Sequence, residues 1–221
     1  MSNIKFHSLH WDNINPVIID CHKRVMAHFG IDCEYHAKNI DHGMWIDSVL
    51  RESTDELVGI IDIDCVPLSG RYANLIQYAS ENRSMVGLAQ VSNHYPPACN
   101  IYAAPAFMIL HKDVYQHVDK WSFRANHQEK CDVAEFFCYN LNSMGKHYKA
   151  VYPKYVHYPK WNLSNYGRYG IGTLYDNDIF HLFESRMQSN IDMFVKVCEE
   201  ALKGFIYDYR DLKINLKDAT Y

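Results

Sequence analysis

Residues 57–67 read Leu-Val-Gly-Ile-Ile-Asp-Ile-Asp-Cys-Val-Pro, an apolar run of strand length that ends in two aspartates. The run predicts a buried parallel strand, because parallel strands covered on both faces are apolar along their whole length. Side chains two residues apart on a strand point to the same side, so we expect Asp62 and Asp64 to face one place. In open α/β sheets the ligand crevice lies there, outside the carboxyl ends of the strands.

The two aspartates are like charges that need compensation from a cation, from strong hydrogen-bond donors or from a shared proton. Mg²⁺ or Mn²⁺ fits, because these ions take one or two carboxylates and complete their coordination with water and substrate phosphate. The alternative is that one aspartate caps the following turn while the other is solvated. The sequence favours metal binding over this alternative, since Val58–Ile63 is too apolar to be an exposed strand at the edge of the sheet.

Length and composition predict one α/β domain over residues 1–221, since 48% apolar residues suffice for a core of that size. A net charge of −4 gives no overall attraction for nucleic acid, although a local basic groove would not show in this sum. The seven cysteines contain no Cys-x-x-Cys pair, which is typical of reduced thiols in a cytosolic protein. No apolar run reaches the roughly 20 residues of a membrane span, and no leader-like segment opens the chain, so we expect a soluble, cytoplasmic protein.

The order of predicted elements alternates strands with helices up to residue 67. The strands are predicted at 4–11, 31–38 and 57–63, and the helices at 16–29 and 44–51. Asn15 and Pro16 predict the start of the first helix, as N-cap and first helical residue, and Gly30 predicts its end. This alternation predicts a mostly parallel, Rossmann-like sheet flanked by helices.

The second half of the chain predicts further helices and strands separated by two long loops. The predicted helices are 70–80, 112–120, 132–144 and 189–204, the strands are 85–91, 106–111, 148–152 and 179–183, and the loops are 92–105 and 153–176. The last helix is amphipathic, with Ile191, Phe194, Cys198 and Phe205 among its apolar residues at helical spacing.

The segment from Asn39-Ile-Asp-His-Gly43 through a helix to Glu56–Pro67 resembles the nucleotide-sugar-binding half of GT-A-fold glycosyltransferases. In that family a glycine-containing turn and a helix precede an apolar strand ending in Asp-x-Asp. The resemblance implies that Asp62 and Asp64 hold the donor's ribose and its Mn²⁺- or Mg²⁺-bound diphosphate, and that His42 in the turn belongs to the donor site.

Two later segments extend the resemblance. His181, inside the apolar stretch Ile179–Arg186, matches a late histidine that the family uses as a metal or diphosphate ligand, although a strand histidine is also a common core residue. Asp132 and Glu135 match the position of the family's acidic catalytic residue. The same pair also has the spacing of a helix capping box, and the sequence does not distinguish which of the two acids is catalytic.

The aromatic and glycine-rich segment Pro153–Asp176 is predicted to be a loop that closes over the donor, or else a static packed loop. In the closing interpretation Lys160 or Arg168 lies near the diphosphate, and Trp161 or Tyr169 lies against the sugar or the acceptor.

The function that these features predict is metal-dependent transfer of one sugar from a nucleotide sugar to a hydroxyl group. The Gln-x-x-Arg-Trp motif of processive synthases is missing, and compact bacteriophage transferases that glycosylate hydroxymethylated DNA bases are one type that the resemblance admits, which would place the protein in the host cytoplasm. A haloacid-dehalogenase-type phosphatase with Asp62 as nucleophile is an alternative. A non-catalytic binding module that needs neither aspartate is another.

Overall fold

The computed structural model describes residues 4–93 and 100–204. Its strands are β1 (Lys5–His10), β2 (Cys33–Ala37), β3 (Leu57–Ile61), β4 (Cys65–Pro67), β5 (Met85–Gln90), β6 (Tyr102–His111), β7 (Tyr148–Val151), β8 (Pro153–Asn162), β9 (Arg168–Tyr175) and β10 (Ile179–His181). Its helices are α1 (Pro16–His28), α2 (His42–Glu52), α3 (Tyr72–Glu81), α4 (Lys112–Tyr115), α5 (Glu135–Ser143) and α6 (Gln188–Leu202). No helix in these ranges is both long enough and apolar enough to cross a bilayer.

The strands form two sheets. The larger has the order β2-β1-β3-β6-β5-β7, and the smaller has the order β4-β10-β9-β8. In the larger sheet only β6 runs against its neighbours, so the predicted mostly parallel sheet is confirmed. The smaller sheet is antiparallel throughout.

The first helix forms as its caps predict. The side chain of Asn15 accepts a hydrogen bond from the Val17 N–H at 3.0 Å, and Gly30 adopts a φ of +65° after the helix. The buried face of α1 packs against α6, in a cluster that includes Ile18, Val25 and Phe194. The predicted amphipathic C-terminal helix is therefore confirmed over Gln188–Leu202, while Phe205 lies outside the described residues.

The deciding stretch, residues 57–67, is not one continuous strand. β3 ends at Ile61, the chain turns at residues 62–64, and β4 then joins the smaller sheet. The Cys65 N–H donates to the carbonyl of Asp62 at 3.0 Å and closes this turn. The two aspartates therefore lie at the junction of the two sheets.

The prediction of a loop over residues 153–176 was wrong, because β8 and β9 pair there as an antiparallel hairpin with a short 3₁₀ turn between them. Pro159 is tolerated because β8 is an edge strand and the ladder shifts register beside it. Gly170 is needed because a Cβ there would lie 2.2 Å from the carbonyl oxygen of Tyr158. Gly170 therefore allows β8 and β9 to approach closely, and it is not the mark of a flexible loop.

Other predicted boundaries also differ from the structure. The helix expected over 132–144 begins at Glu135, and the one expected over 112–120 ends at Tyr115. β6 begins at Tyr102, inside the predicted 92–105 loop, of which residues 94–99 lie outside the described ranges.

Candidate metal and donor site

The candidate site lies where β1 and β3, neighbouring parallel strands, reach their carboxyl ends. Asp62 directly follows β3, and its N–H donates to the carbonyl of Ala106 on β6 at 2.9 Å. Asp64 follows two residues later in the turn that joins β3 to β4. The buried strand thus fixes the backbone of the first aspartate, and the tight turn brings the second beside it.

The histidine that faces these aspartates comes from the smaller sheet. β10 pairs with β4 so that His181 lies opposite Cys65, and the Leu182 N–H donates to the Asp64 carbonyl at 3.0 Å. His181 Nε2 lies 3.5 Å from Asp64 Oδ1 and 3.9 Å from Asp62 Oδ2. One ligand atom from each of these three residues lies within 4.8 Å of the other two.

The electrostatics of the two aspartates are unequal. Burial raises the pKa of Asp62, and the charge of Asp64 raises it further, while His42 and His181 act in the opposite direction. Burial also acts to raise the pKa of Asp64, but hydrogen bonds and charge from His181, together with a hydrogen bond from Ser185, leave that pKa below its ordinary value. Two close carboxylates of this kind gain stability from a bound cation.

His42, at the start of α2, contacts the same aspartate pair. Its Nε2 lies 3.3 Å from Asp62 Oδ1, and its ring stacks on Trp45 with centroids 5.6 Å apart. The side chain of Asp41 caps the helix by accepting the Met44 N–H at 2.8 Å. The helix cap and the tryptophan therefore orient this imidazole, whose place in the donor site stays a prediction of the family resemblance.

Two adjoining cavities share the aspartate pair. The first, of about 310 Å³, extends along the end of β1, where it is lined by Trp11, Asn13 and Arg186. The second, of about 360 Å³, lies on the other side and includes His181, Asp132 and Glu184 in its lining. His42, Asp62 and Asp64 line both cavities, so the two candidate metal-binding aspartates lie at their boundary, while His181 lines the second cavity.

Asp132 and Glu135 differ in their relation to the second cavity. Asp132 is part of its lining, whereas Glu135 accepts the Asp132 N–H through Oε2 at 2.8 Å, as in one half of a capping box. Burial raises the pKa of Glu135, and this hydrogen bond partly offsets the effect. The geometry thus pairs an aspartate at the cavity with a glutamate that orients its backbone.

A relay of contacts positions Asp132. Buried Asp47 of α2 accepts hydrogen bonds from the Ser122 hydroxyl at 2.5 Å and the Phe123 N–H at 2.8 Å. The Phe123 carbonyl in turn accepts the Ala134 N–H at 2.8 Å, and Ala134 holds the unusual φ of +69°. For a non-glycine residue such a φ persists only where surrounding contacts enforce it.

Four residues are predicted to contact the donor or the acceptor when this segment closes: Lys160, Trp161, Arg168 and Tyr169. All four lie on the β8–β9 hairpin, and none lines the two cavities at the aspartate pair. Lys160 forms an ion pair with Glu184, which does line the second cavity. The Trp161 ring packs 5.2 Å from Phe183, whose ring is 3.9 Å from that of His181. Arg168 begins β9, paired with Asn162. Tyr169 is fully buried, and its hydroxyl donates to the Val91 carbonyl at 2.8 Å. The binding role of these four residues therefore stays a prediction.

Two residues at or beside the site were not predicted from the sequence. Arg186 lies in the first cavity, where its Nη2 is 3.3 Å from Asn13 Oδ1, and its guanidinium is 5.9 Å from the Trp11 ring centroid. His22 is fully buried, and burial lowers its pKa to about 3 even though the charge of Asp64 opposes this shift. Arg186 lies five residues after His181, at the polar end of the stretch Ile179–Arg186, so its nearness to His181 in sequence was a usable signal.

The three candidate ligands, Asp62, Asp64 and His181, suit a divalent ion. Two carboxylates and a neutral imidazole match Mn²⁺ better than Mg²⁺, which prefers oxygen ligands alone. The separations of 3.5 and 3.9 Å exceed the roughly 3 Å between adjacent ligands of an octahedral ion with bonds near 2.1 Å, so small rotations would complete the set.

Comparison with known proteins identifies the fold but no family. No protein-family model and no curated protein matches the sequence. A 4-diphosphocytidyl-2C-methyl-D-erythritol synthase from Anaerococcus prevotii matches at TM-score 0.51 and 11% identity, covering 90% of this chain and 99% of its own. A proposed glucose-1-phosphate thymidylyltransferase from Bacillus anthracis, in complex with a sucrose, matches at 0.51 and 6%, covering 89% and 96%.

A mannosyltransferase from Pyrobaculum calidifontis, in complex with GDP-Man and Mn²⁺, is also similar. It matches at TM-score 0.48 and 8% identity, over 67% of this chain and 54% of its own. The two matches at 0.51 show that this chain shares a Rossmann-like α/β fold with these two enzymes.

Proposed function

We propose that the protein is a metal-dependent glycosyltransferase that moves a single sugar from a nucleotide sugar to a hydroxyl acceptor. The observation that carries this proposal is the convergence of Asp62, Asp64 and His181 within 4.8 Å, beside a cavity that also contains Asp132. Sugar transfer needs positive charge near the departing diphosphate and a base near the acceptor hydroxyl. This edge of the sheet offers ligands for the first requirement and a carboxylate for the second.

The donor is assigned to the boundary between the two cavities. Asp62, Asp64 and His181 would hold Mn²⁺, which when bound neutralises charge on the diphosphate leaving group. Arg186 and His42 are two further cationic or hydrogen-bonding groups in the lining of the first cavity, suited to phosphate oxygens. The nucleoside then extends along the end of β1 toward Trp11, which is 41% exposed and offers an aromatic face.

The acceptor is assigned to the second cavity, with Asp132 as its base. The Asp132 carboxylate takes the proton of the acceptor hydroxyl as that oxygen forms a bond to the anomeric carbon. The bond from this carbon to the diphosphate breaks, and its electron pair leaves with the nucleoside diphosphate. A single displacement of this kind inverts the anomeric carbon, so the stereochemistry of the product is a direct test.

The charge of the second cavity favours a neutral acceptor. Asp132 and Glu184 line it together with the aspartate pair. The ion pair of Glu184 with Lys160 and a bound Mn²⁺ would offset only part of this negative charge, and the Asp132 carboxylate that is left disfavours a polyanion. A sugar or another neutral hydroxyl compound fits this field better than DNA does. Hydroxymethylated DNA is therefore the less favoured acceptor and serves as a separate arm of the acceptor screen.

The experiment is a panel of nucleotide sugars, each incubated with the protein and Mn²⁺, with release of nucleoside diphosphate as the readout and acceptors added in a second round. Asp64→Asn should abolish release, while the control Asp20→Asn, at a position 69% exposed on α1, should leave it unchanged. Asp132→Asn should lower transfer to the acceptor much more than it lowers donor binding.

Three results would contradict the proposal. Phosphate release from simple phosphomonoesters, lost in Asp62→Asn, would indicate the phosphatase. Pyrophosphate release from a nucleoside triphosphate and a sugar phosphate would indicate a nucleotidyltransferase. Ligand binding unchanged in Asp62→Asn and Asp64→Asn, without turnover, would indicate the binding module.

A further inference from the structure

A second cluster of metal-ligating side chains lies on the larger sheet, away from the aspartate pair. β1 and β2 pair in parallel with His7 opposite Glu34 and Leu9 opposite His36. Side chains two residues apart on a strand share a face, so Glu34 and His36 lie on the side where His7 also points. Trp45 of α2 borders the cluster, with its ring centroid 5.5 Å from that of His36.

The distances in this cluster match the edges of a tetrahedral metal site. His7 Nδ1 and His36 Nε2 are 3.2 Å apart, and a tetrahedral ion with bonds near 2.0–2.1 Å separates its nitrogen ligands by about 3.3 Å. Glu34 Oε1 lies 3.7 Å from His36 Nε2, and Glu34 Oε2 lies 4.0 Å from His7 Nδ1. The glutamate side chain is 49% exposed, so a small rotation can bring one of its oxygens the few tenths of an ångström closer that a tetrahedral site requires.

The chemistry of these groups suits a borderline ion. Two imidazoles and one carboxylate are ligands that zinc accepts, and solvent can supply a fourth. The two histidine side chains are 13% and 15% exposed, so the strands and α2 limit their rotation. Burial is the largest cause lowering the pKa of both His7 and His36, which favours the neutral imidazole that a metal binds.

We propose that His7, Glu34 and His36 form a zinc site that links the edge strand β2 to β1. Among residues 4–93 and 100–204, β2 is the outermost strand of its sheet and pairs only with β1. A metal bound to both strands adds a crosslink where the sheet has no further neighbour. The site stabilises the folded chain by its binding free energy and is independent of the sugar-transfer proposal.

Lys5 competes with the metal for the carboxylate of Glu34. Its Nζ lies 3.2 Å from Glu34 Oε2, so the glutamate must exchange an exposed ion pair for the metal. Lys5→Gln removes the competing ammonium and a nearby positive charge while keeping all three ligands. This variant should therefore bind zinc more tightly than the parent chain.

The test is a Zn²⁺ titration of the full chain by calorimetry, in an Asp64→Asn background that removes a ligand from the site at the end of β3. We expect His7→Gln and His36→Gln each to weaken zinc binding by at least about tenfold, since losing even an indirect supporting group typically costs that much. The matched control is His147→Gln, at an exposed position, which should not change the affinity. Co²⁺ in place of zinc should give the visible absorption of tetrahedral coordination, lost in the same two variants.

The proposal is overturned if the parent background binds no zinc, or if His147→Gln weakens binding as much as the two ligand variants do. It is also overturned if Lys5→Gln leaves the affinity unchanged or lowers it. The lysine variant keeps every ligand, so it decides the question even if a histidine variant fails to fold. Thermal unfolding without metal, measured for each variant, separates lost folding from lost coordination.

Discussion

Gly43, the second residue of α2, is the position where the smallest substitution should disturb the site most. A Cβ at this residue would lie 2.5 Å from Arg124 Cα, 2.7 Å from Arg124 N and 2.8 Å from the Phe123 carbonyl oxygen. All three neighbours are backbone atoms, so no side chain can rotate away to make room. Gly43→Ala must therefore displace either the start of α2 or the segment around residue 124.

The size of the effect follows from these contacts. Carbon atoms pack at about 3.5–4.0 Å, so the backbone around Arg124 must move by about 1 Å. Overpacking typically costs about 1–3 kcal/mol, and contacts of 2.5–2.8 Å with backbone atoms place this substitution in the upper part of that range, at about 2–3 kcal/mol. The better helix propensity of alanine recovers up to about 1 kcal/mol. A net loss of about 1–2 kcal/mol lowers Tm by roughly 2–8 °C in a chain of this size.

The same displacement should reach the proposed catalytic base. The Phe123 carbonyl accepts the Ala134 N–H at 2.8 Å, and Ala134 lies two residues from Asp132. If Asp132 acts as proposed, an error of about 1 Å in its position can lower turnover by up to about 100-fold.

Thermal unfolding and donor turnover of Gly43→Ala are compared with those of Gly70→Ala, where a Cβ would meet no atom within 4 Å. Equal Tm values for the two variants would refute the close approach of α2 to residues 123–124. A large fall in Tm with unchanged turnover would refute the relay from this contact to Asp132.

Three further predictions concern the acids. Asp64→Asn should abolish Mn²⁺-dependent nucleotide binding in calorimetry, and Asp20→Asn should not. Burial raises the pKa of Asp62, so between its unfolded and folded pKa the folded chain keeps a proton that the unfolded chain has lost, and the stability of the fold falls as the pH rises through this range. Asp62→Asn should therefore raise Tm of the metal-free protein at pH 7, but not below about pH 3.9, the unfolded pKa of an aspartate. Asp132→Asn should lower kcat by about 100-fold or more with little change in KM, and equal losses in both would contradict its role as base.

The parts of the fold that could be predicted are those with a strong local signal. The apolar run of β3, the Asn-Pro start of α1 and the helical spacing of α6 each depend on residues close in sequence. The pairing of Asp62 with Asp64 followed from such a pattern, although the geometry that joins them is a turn and not a continuing strand. Residues i and i+2 lie near each other both in a strand and in a turn, so the predicted closeness of the two aspartates was correct although the predicted backbone conformation was not.

The parts that could not be predicted depend on contacts between distant segments. Residues 153–176 contain the prolines and glycines of a loop, yet they form a hairpin because β9 pairs with β10 and gives the edge strand β8 a partner. Gly170 is explained only by the carbonyl of Tyr158 across the hairpin. Composition therefore gave the wrong class for this segment, since tertiary pairing outweighs local preference.

The candidate site itself combines both kinds of information. Its two aspartates come from a local motif, but His181 reaches them only because β10 pairs with β4 in a register that sets it opposite Cys65. A shift of that register by one residue would point the imidazole to the other face of the smaller sheet. The register is held by the buried contacts of Val66 and Phe180 with α1 and α6, in one apolar cluster. The packing of the two helices thus determines whether the third ligand meets the first two, which is why the motif alone does not define the metal site.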